Sequence, residues 1–142
     1  MIFDKTTLFS DAQAITATAA STNVIDLRAN GTVYGYTVAL RRDEGKGNAV
    51  PLWIGVVEAF NTLTSLTVSV ETDDNEAFSS AKTVATTGAV LLADLTLGKQ
   101  FSLDTLPLGT DERFLRLKYT VAGSAPTLGK ITAGITAGNQ TN

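Results

Sequence analysis

Residues 64–73 read TSLTVSVETD, and this strict alternation does most to limit the folds open to the chain. Successive side chains of an extended strand point to opposite faces, so Leu66, Val68 and Val70 share one face and Thr67, Ser69 and Glu71 the other. The same period recurs in RFLRLKYTVAG (113–123), where Leu115, Leu117, Tyr119 and Val121 oppose Arg116, Lys118 and Thr120. It recurs again in GKITAGITAG (129–138), with Ile131, Ala133 and Ile135 against Lys130, Thr132 and Thr136. Strands with one apolar and one polar face belong to sheets that cover a core on one side. PLWIGVVEAF (51–60) is apolar almost throughout, as a central strand covered on both faces or a short helix would be. Pro51, Trp53, Ile54, Val56 and Val57 favour the strand, and Trp53 is read as core.

Weaker strand signals lie at AITATA (14–19), NVIDL (23–27), TVYGYTVAL (32–40), KTVATT (82–87) and KQFSL (99–103). AVLLADL (89–95) suits a strand or a helical turn. Turn chemistry separates these runs at Asn30-Gly31, 45–48, 73–75, Leu97-Gly98, 107–109 and Ala122-Gly123. Short strands divided by polar turns predict an all-β, antiparallel, jelly-roll-like β-sandwich, with residues 1–142 as one domain. The ends, 1–13 and 136–142, are candidates for extended arms. Ile2, Phe3, Leu8 and Phe9 are apolar for a leader segment; they form a first edge strand or anchor an arm on a neighbour.

With 142 residues the chain can bury roughly two-thirds of its unfolded surface, enough for a core without covalent staples. It has no cysteine and no histidine, which removes disulfides, thiolate and imidazole metal sites, and Ser-His-Asp or Cys-His catalysis. Eleven basic against 14 acidic residues, with no basic block, argue against nucleic acid as a partner. No apolar run approaches a membrane span, and MIFDKTTLFSDAQ lacks the basic start and apolar centre of a signal peptide. The expectation is a soluble protein made in the cytoplasm, without a membrane partner.

The chemistry-bearing candidates are few. Glu71, Asp73, Asp74 and Glu76 crowd six positions, but a calcium loop of the D-x-[DN]-x-[DN]-G type needs a glycine and a closing acid that are missing here. Aspartate and asparagine also cap tight turns, and the hairpin turn is the preferred reading, with Phe78 folding the loop back onto the sheet. Asp43-Glu44, Asp73-Asp74 and Asp111-Glu112 are neighbours in turn-like sequence and point apart, unlike a catalytic carboxylate pair; a cross-chain pair such as Glu58 with Glu71 stays open. GKGNAV lacks the strand, the helix and the last glycine of a dinucleotide fingerprint. GSAPTLGKIT has the wrong spacing for a phosphate loop, and Ile131 stands where Ser or Thr would bind magnesium. Asn30 and Asn139 open glycosylation sequons, the first better read as a turn. LRRDEGKGN (40–48) is a charged loop in which Arg41 and Arg42 suit a contact with carboxylates on a partner. No enzyme activity, no cofactor and no metal are expected.

Three segments carry a resemblance: MIFDKTTLFSDAQAITATAASTNVIDL, GKGNAVPLWIGVVEAFNTLTSLTVSVETDDNEAFSS and ERFLRLKYTVAGSAPTLGKITAGITA. Over essentially the whole chain they resemble the capsid cement, or decoration, proteins of tailed bacteriophages, the family typified by the Bordetella phage cement protein. The resemblance implies a jelly roll, self-association into homodimers, and attachment outside a shell of HK97-fold major capsid protein. It therefore implies a place on the outer surface of the virion, no catalysis and no cofactor. LRANGTVYGYTVALRRDEGKGN is the stretch that could depart from relatives, in its aromatic and arginine content. By residue type, Arg41, Arg42, Arg113 and Arg116 are candidates to pair with shell carboxylates, alongside the apolar Ile2, Phe3, Leu8 and Phe9. The rival class is a carbohydrate-binding β-sandwich, whose aromatic platform would come from Trp53, Tyr34, Tyr36 or Tyr119. A carboxylate hydrolase is a third.

Overall fold

A computed structural model describes residues 2–28, 31–40, 49–108 and 111–138. Arg41 and Arg42, the turn at 45–48, Asn30, Gly109 and the sequon at Asn139 lie outside the described residues. Among the described residues, eight strands form two antiparallel sheets: β1 (Phe3–Ala14), β2 (Ala19–Ala20), β3 (Ile25–Asp26), β4 (Leu52–Glu58), β5 (Leu63–Asp73), β6 (Lys82–Leu91), β7 (Phe114–Gly123) and β8 (Lys130–Thr136). One sheet has the order β1-β8-β4. The other has the order β2-β7-β5-β6, and β3 extends the β2 edge along β7. Of the described strands, β5 and β6 are sequence neighbours that pair as a hairpin; β2→β3 and β6→β7 stay within one sheet, and the four remaining connections cross between sheets, the jelly-roll-like wiring of a sandwich.

The alternating segments explain why these layers close. Leu66, Val68 and Val70 of β5, Leu115, Leu117 and Tyr119 of β7, and Ile131 and Ala133 of β8 are all buried and meet in one core. Val68 pairs with Tyr119 and Val70 with Leu117, so the apolar faces of β5 and β7 fall in register. The Tyr119 hydroxyl is satisfied inside the core by Ser10 Oγ at 2.7 Å, and Ser10 Oγ also donates to Gln13 Oε1 at 2.6 Å. Burial raises the Tyr119 phenol well above its usual range, against the opposing pull of that bond.

Several weaker runs behave differently. The stretch 14–19 is broken, because Ile15 turns fully into the core and its N–H bonds Gly129 O; only Ala19–Ala20 re-enters a sheet. KQFSL forms no regular strand, but it follows β4 through Phe101 N to Ile54 O and Val56 N to Lys99 O. AVLLADL divides, with 89–91 closing β6 and Leu92–Asp94 forming a 3-10 turn. The reading of Trp53 as core is corrected: Leu52, Ile54 and Val56 take the inward positions of β4, so Trp53 faces outward and is only half-buried. Its indole lies over Gly55, where a Cβ would meet the ring at 2.3 Å, and meets Phe3 edge-on at 5.6 Å between ring centroids. TVYGYTVAL joins neither sheet. Gly35, at φ +84°, reverses the chain, and the run folds on itself as a short ribbon.

Candidate functional site

The acidic turn is built from its own hydrogen bonds. Asp73 Oδ1 accepts Asn75 N–H at 2.8 Å, and Asp73 Oδ2 accepts Ser80 N–H at 2.7 Å, with the Ser80 hydroxyl close to both oxygens. Asn75 Oδ1 in turn accepts Ala77 N–H at 2.9 Å, and Asp74 Oδ1 accepts Arg113 N–H at 3.1 Å. Phe78, in the left-handed region at φ +52°, is buried. The Arg116 guanidinium sits 4.0 Å from the Phe78 ring centroid and also binds Glu71 Oε2 at 2.7–2.8 Å. Lys118 Nζ adds a second cation to Glu71, 3.4 Å from Oε1. Glu71 and Asp73 are thus occupied in fixing the hairpin, as aspartate-capped turns and ion pairs require. Glu58 pairs with Lys130 at 2.7 Å on the opposite sheet, so no Glu58–Glu71 carboxylate pair forms.

Hydrogen bonds hold Asp4, Asp26, Glu58 and Asp73 below the usual carboxylate range. The N–H of Asn75 is the main cause that holds Asp73 below the usual carboxylate range; burial opposes it, and Ser80 and the Asp74 N–H assist. Arg113 holds Asp26 lower still through Nε and Nη2, each 2.8 Å from a carboxylate oxygen. Lys130 does the same for Glu58. A carboxylate depressed in the folded state stabilises the protein above its unfolded pKa, and that stability disappears as pH falls through the folded value. Thermal stability is therefore expected to hold down to about pH 4 and to fall below it. Asp73→Asn is expected to lower stability at neutral pH and to make the acid loss shallower. Melting curves followed by circular dichroism across the acid range check this; an unchanged pH profile would deny Asp73 its part.

The residues singled out as contacts do not all reach the surface. Ile2 is 73% exposed, while Phe3 and Leu8 are half-buried, Phe3 on Trp53 and Leu8 against Gly134. The assignment of Phe9 to an interface is corrected: β1 is irregular there, with register shifts against β8, and Phe9 lies fully buried in the core beside the equally buried Ser10. Arg113 is committed to Asp26 and lies 4.9 Å from the Phe114 ring centroid, and Arg116 to Glu71 and Phe78, so both arginines brace the fold. Their residue type was visible in the sequence, but not partners 87 and 45 positions away.

A feature that sequence reasoning took for a sheet strand emerges as the most exposed apolar element. Among the described residues, five of the twelve exposed large hydrophobics fall within 33–40: Val33, Tyr34, Tyr36, Val38 and Leu40. The ribbon is closed by Leu40 N–H to Gly31 O at 2.8 Å, Tyr36 N–H to Val33 O at 2.9 Å, and a bridge between Thr32 and Ala39. Its signal in the sequence was the uncharged run GTVYGYTVAL with a glycine between two tyrosines.

The profile of the Bbp16 family matches residues 9–135, from the inward Phe9 of β1 to the penultimate residue of β8. The chain belongs to the Bbp16 family. That family takes its name from a Bordetella phage protein, and membership marks the chain as a phage structural protein associated with the virion. No curated protein matches the chain. The Bbp16 match takes in both sheets, the acidic turn, the 31–40 ribbon, Arg113 and Arg116, and leaves Ile2, Phe3 and Leu8 outside it.

Proposed function

We propose that the chain is a non-enzymatic capsid cement protein, which binds the outside of an HK97-fold phage shell and bridges neighbouring major capsid protein subunits. The observation that carries this reading is the Bbp16 match over nearly the whole sandwich. The internal chemistry supports it: the arginines and acids of the acidic turn are spent on bracing one sheet, tying β3, β5 and β7 and the β5–β6 hairpin together. A bridging protein needs that rigidity, because contacts to several subunits act together only when the spacing between them is fixed. It stabilises the shell by mass action, binding the assembled lattice and not its free subunits.

The rival sugar-binding reading gains nothing from Trp53, whose indole is taken up by Phe3 and Gly55, or from Tyr119, which is buried. Co-sedimentation of the purified protein with expanded capsids assembled without it tests the proposal. Saturable binding at a fixed stoichiometry is expected. A folded protein that stays in the supernatant at every ratio would overturn it.

A further inference from the structure

The two ends of the sandwich differ in character. β5 spans them, about 33 Å from its first residue to its last. The acidic turn, Glu112 and Arg113 gather charge beyond Asp73, the last residue of β5. At the start of β5, Leu63 pairs with Gly123 and Ser65 with Leu91, which brings segments 59–63, 91–98 and 123–129 to one end. These segments contain a single charged residue, Asp94. They also carry leucines open to water: Leu97 is 71% exposed and Leu128 55%, with Leu91 exposed as well.

This end is braced from several sides, unlike the 31–40 ribbon. Asn61 Oδ1 accepts the N–H groups of Thr127 at 2.9 Å and Leu128 at 3.0 Å, while Asn61 Nδ2 donates to Thr127 Oγ1 at 2.8 Å. Thr62 Oγ1 donates to Ala125 O, and Gly129 N–H to Glu58 Oε1. Gly129 lies so close to the Phe60 ring that a Cβ would meet it at 2.2 Å. Phe60 N–H donates to Leu95 O, and Gly98 N–H to Val56 O. Segment 56–62 thus holds both loops, the one that bears Leu97 and the one that bears Leu128. Thr62 sits in the left-handed region at φ +63°, a strain that a β-branched residue keeps only where its surroundings impose it. Neither Leu97 nor Leu128 belongs to the core. Both are held in water on a frame set in advance.

We infer that this end is the docking foot of the protein, and that it seats Leu97 and Leu128 in an uncharged, aliphatic depression on the assembled shell. The inference rests on the cement reading above and adds which face makes contact and what chemistry meets it. Three observations select that occupant. Projecting side chains on a fixed frame call for a concave receptor, and among the described residues the chain has no cavity in which a second copy could seat them. With one charge in three segments, the end offers no complement to a charged partner, so the surface that suits it is apolar. The charges of the opposite end stay hydrated when that end faces away, so the two ends give the molecule one orientation on a surface. The bracing also means that little freedom is lost on docking.

The test is co-sedimentation with expanded capsids of the wild type, the double variant Leu97→Asp/Leu128→Asp, and Leu108→Asp. Leu108 is the control, an exposed leucine near the start of β4 and so toward the charged end. None of the three leucines is in the core, so both variants are expected to keep the wild-type melting temperature. The double variant is expected to need roughly 100-fold or more protein for half-occupancy, since it loses two apolar contacts and must desolvate two carboxylates. The control is expected to bind as the wild type does. Wild-type binding is expected to change little from about 0.05 to about 0.5 M sodium chloride, because screening weakens charged contacts and not apolar ones. A double variant that binds as well as the wild type would overturn the docking foot and leave the cement reading standing. Steep loss of wild-type binding in salt would overturn it too, whether or not the variants fold. A wild type that never binds would remove both readings. A double variant that loses self-association but keeps shell binding would give this end to a second copy instead.

Discussion

Phe9→Ala is expected to lower the unfolding free energy of the free protein by about 3–5 kcal/mol, the usual cost of removing a large aromatic ring from a packed core. The ring is fully buried, and its neighbour Ser10 holds the Tyr119 hydroxyl, so the truncation opens a cavity beside a buried polar network. The surrounding strands cannot close such a cavity freely: Phe9 O accepts Asn23 N–H at 3.0 Å, and the paired strands β1 and β8 fix the backbone. Ile2→Ala, on the same N-terminal segment but 73% exposed, is the internal control and should change stability by no more than about 0.5 kcal/mol. Urea unfolding of the two variants separates the roles. Equal, small effects would mean that Phe9 is not a core residue.

The second large effect belongs to the pair beneath the acidic turn. Arg116→Met leaves the Glu71 carboxylate, 6% exposed, with only Lys118 at 3.4 Å, and it removes the cation from the Phe78 ring. The expected loss is about 2–4 kcal/mol, somewhat under the cost of orphaning a fully buried charge because Lys118 remains. Replacing both partners, Glu71→Gln with Arg116→Met, should recover much of that loss, since no charge is then left without its partner. The decisive quantity is the coupling energy from a double-mutant cycle measured by denaturant unfolding. Additive effects of the two single changes would show that Arg116 and Glu71 do not act as a unit.

Much of this architecture could be read from the chain, and the reasons for success and failure are local. In the central parts of β5, β7 and β8 the period of two states directly which side chains point inward; at the strand ends it fails, since Glu71, Thr72, Asp73 and Thr136 are buried as well. The apolar run 51–60 was legible as a strand but not in its facing. Trp53 and Val57 are as apolar as Ile54, and only the register with β8, Trp53 beside Gly134, places the indole outside. Residues 99–103 gave a weak strand signal, but the segment follows β4 through isolated bonds and does not become a regular strand. The ribbon misled for a different reason: its period is good, yet Gly35 turns it onto itself before it reaches a sheet. The acidic stretch was correctly read as a turn, since Asp73 and Asn75 bond amides within seven residues. Its arginine clamp was not, because β7 delivers Arg116 from a distant part of the chain opposite Glu71. Periodicity reports which face of a strand is buried; it does not report which strands become neighbours.

The measurement that bears most directly on the cement role is the melting temperature of expanded capsids, by scanning calorimetry, with and without saturating amounts of this protein. A ligand of the assembled shell must raise that transition, and raise it further with concentration until its sites are filled. The account predicts such a saturable increase. A shell transition that stays fixed while the protein is demonstrably bound would contradict it, leaving a passive surface protein in place of a cement.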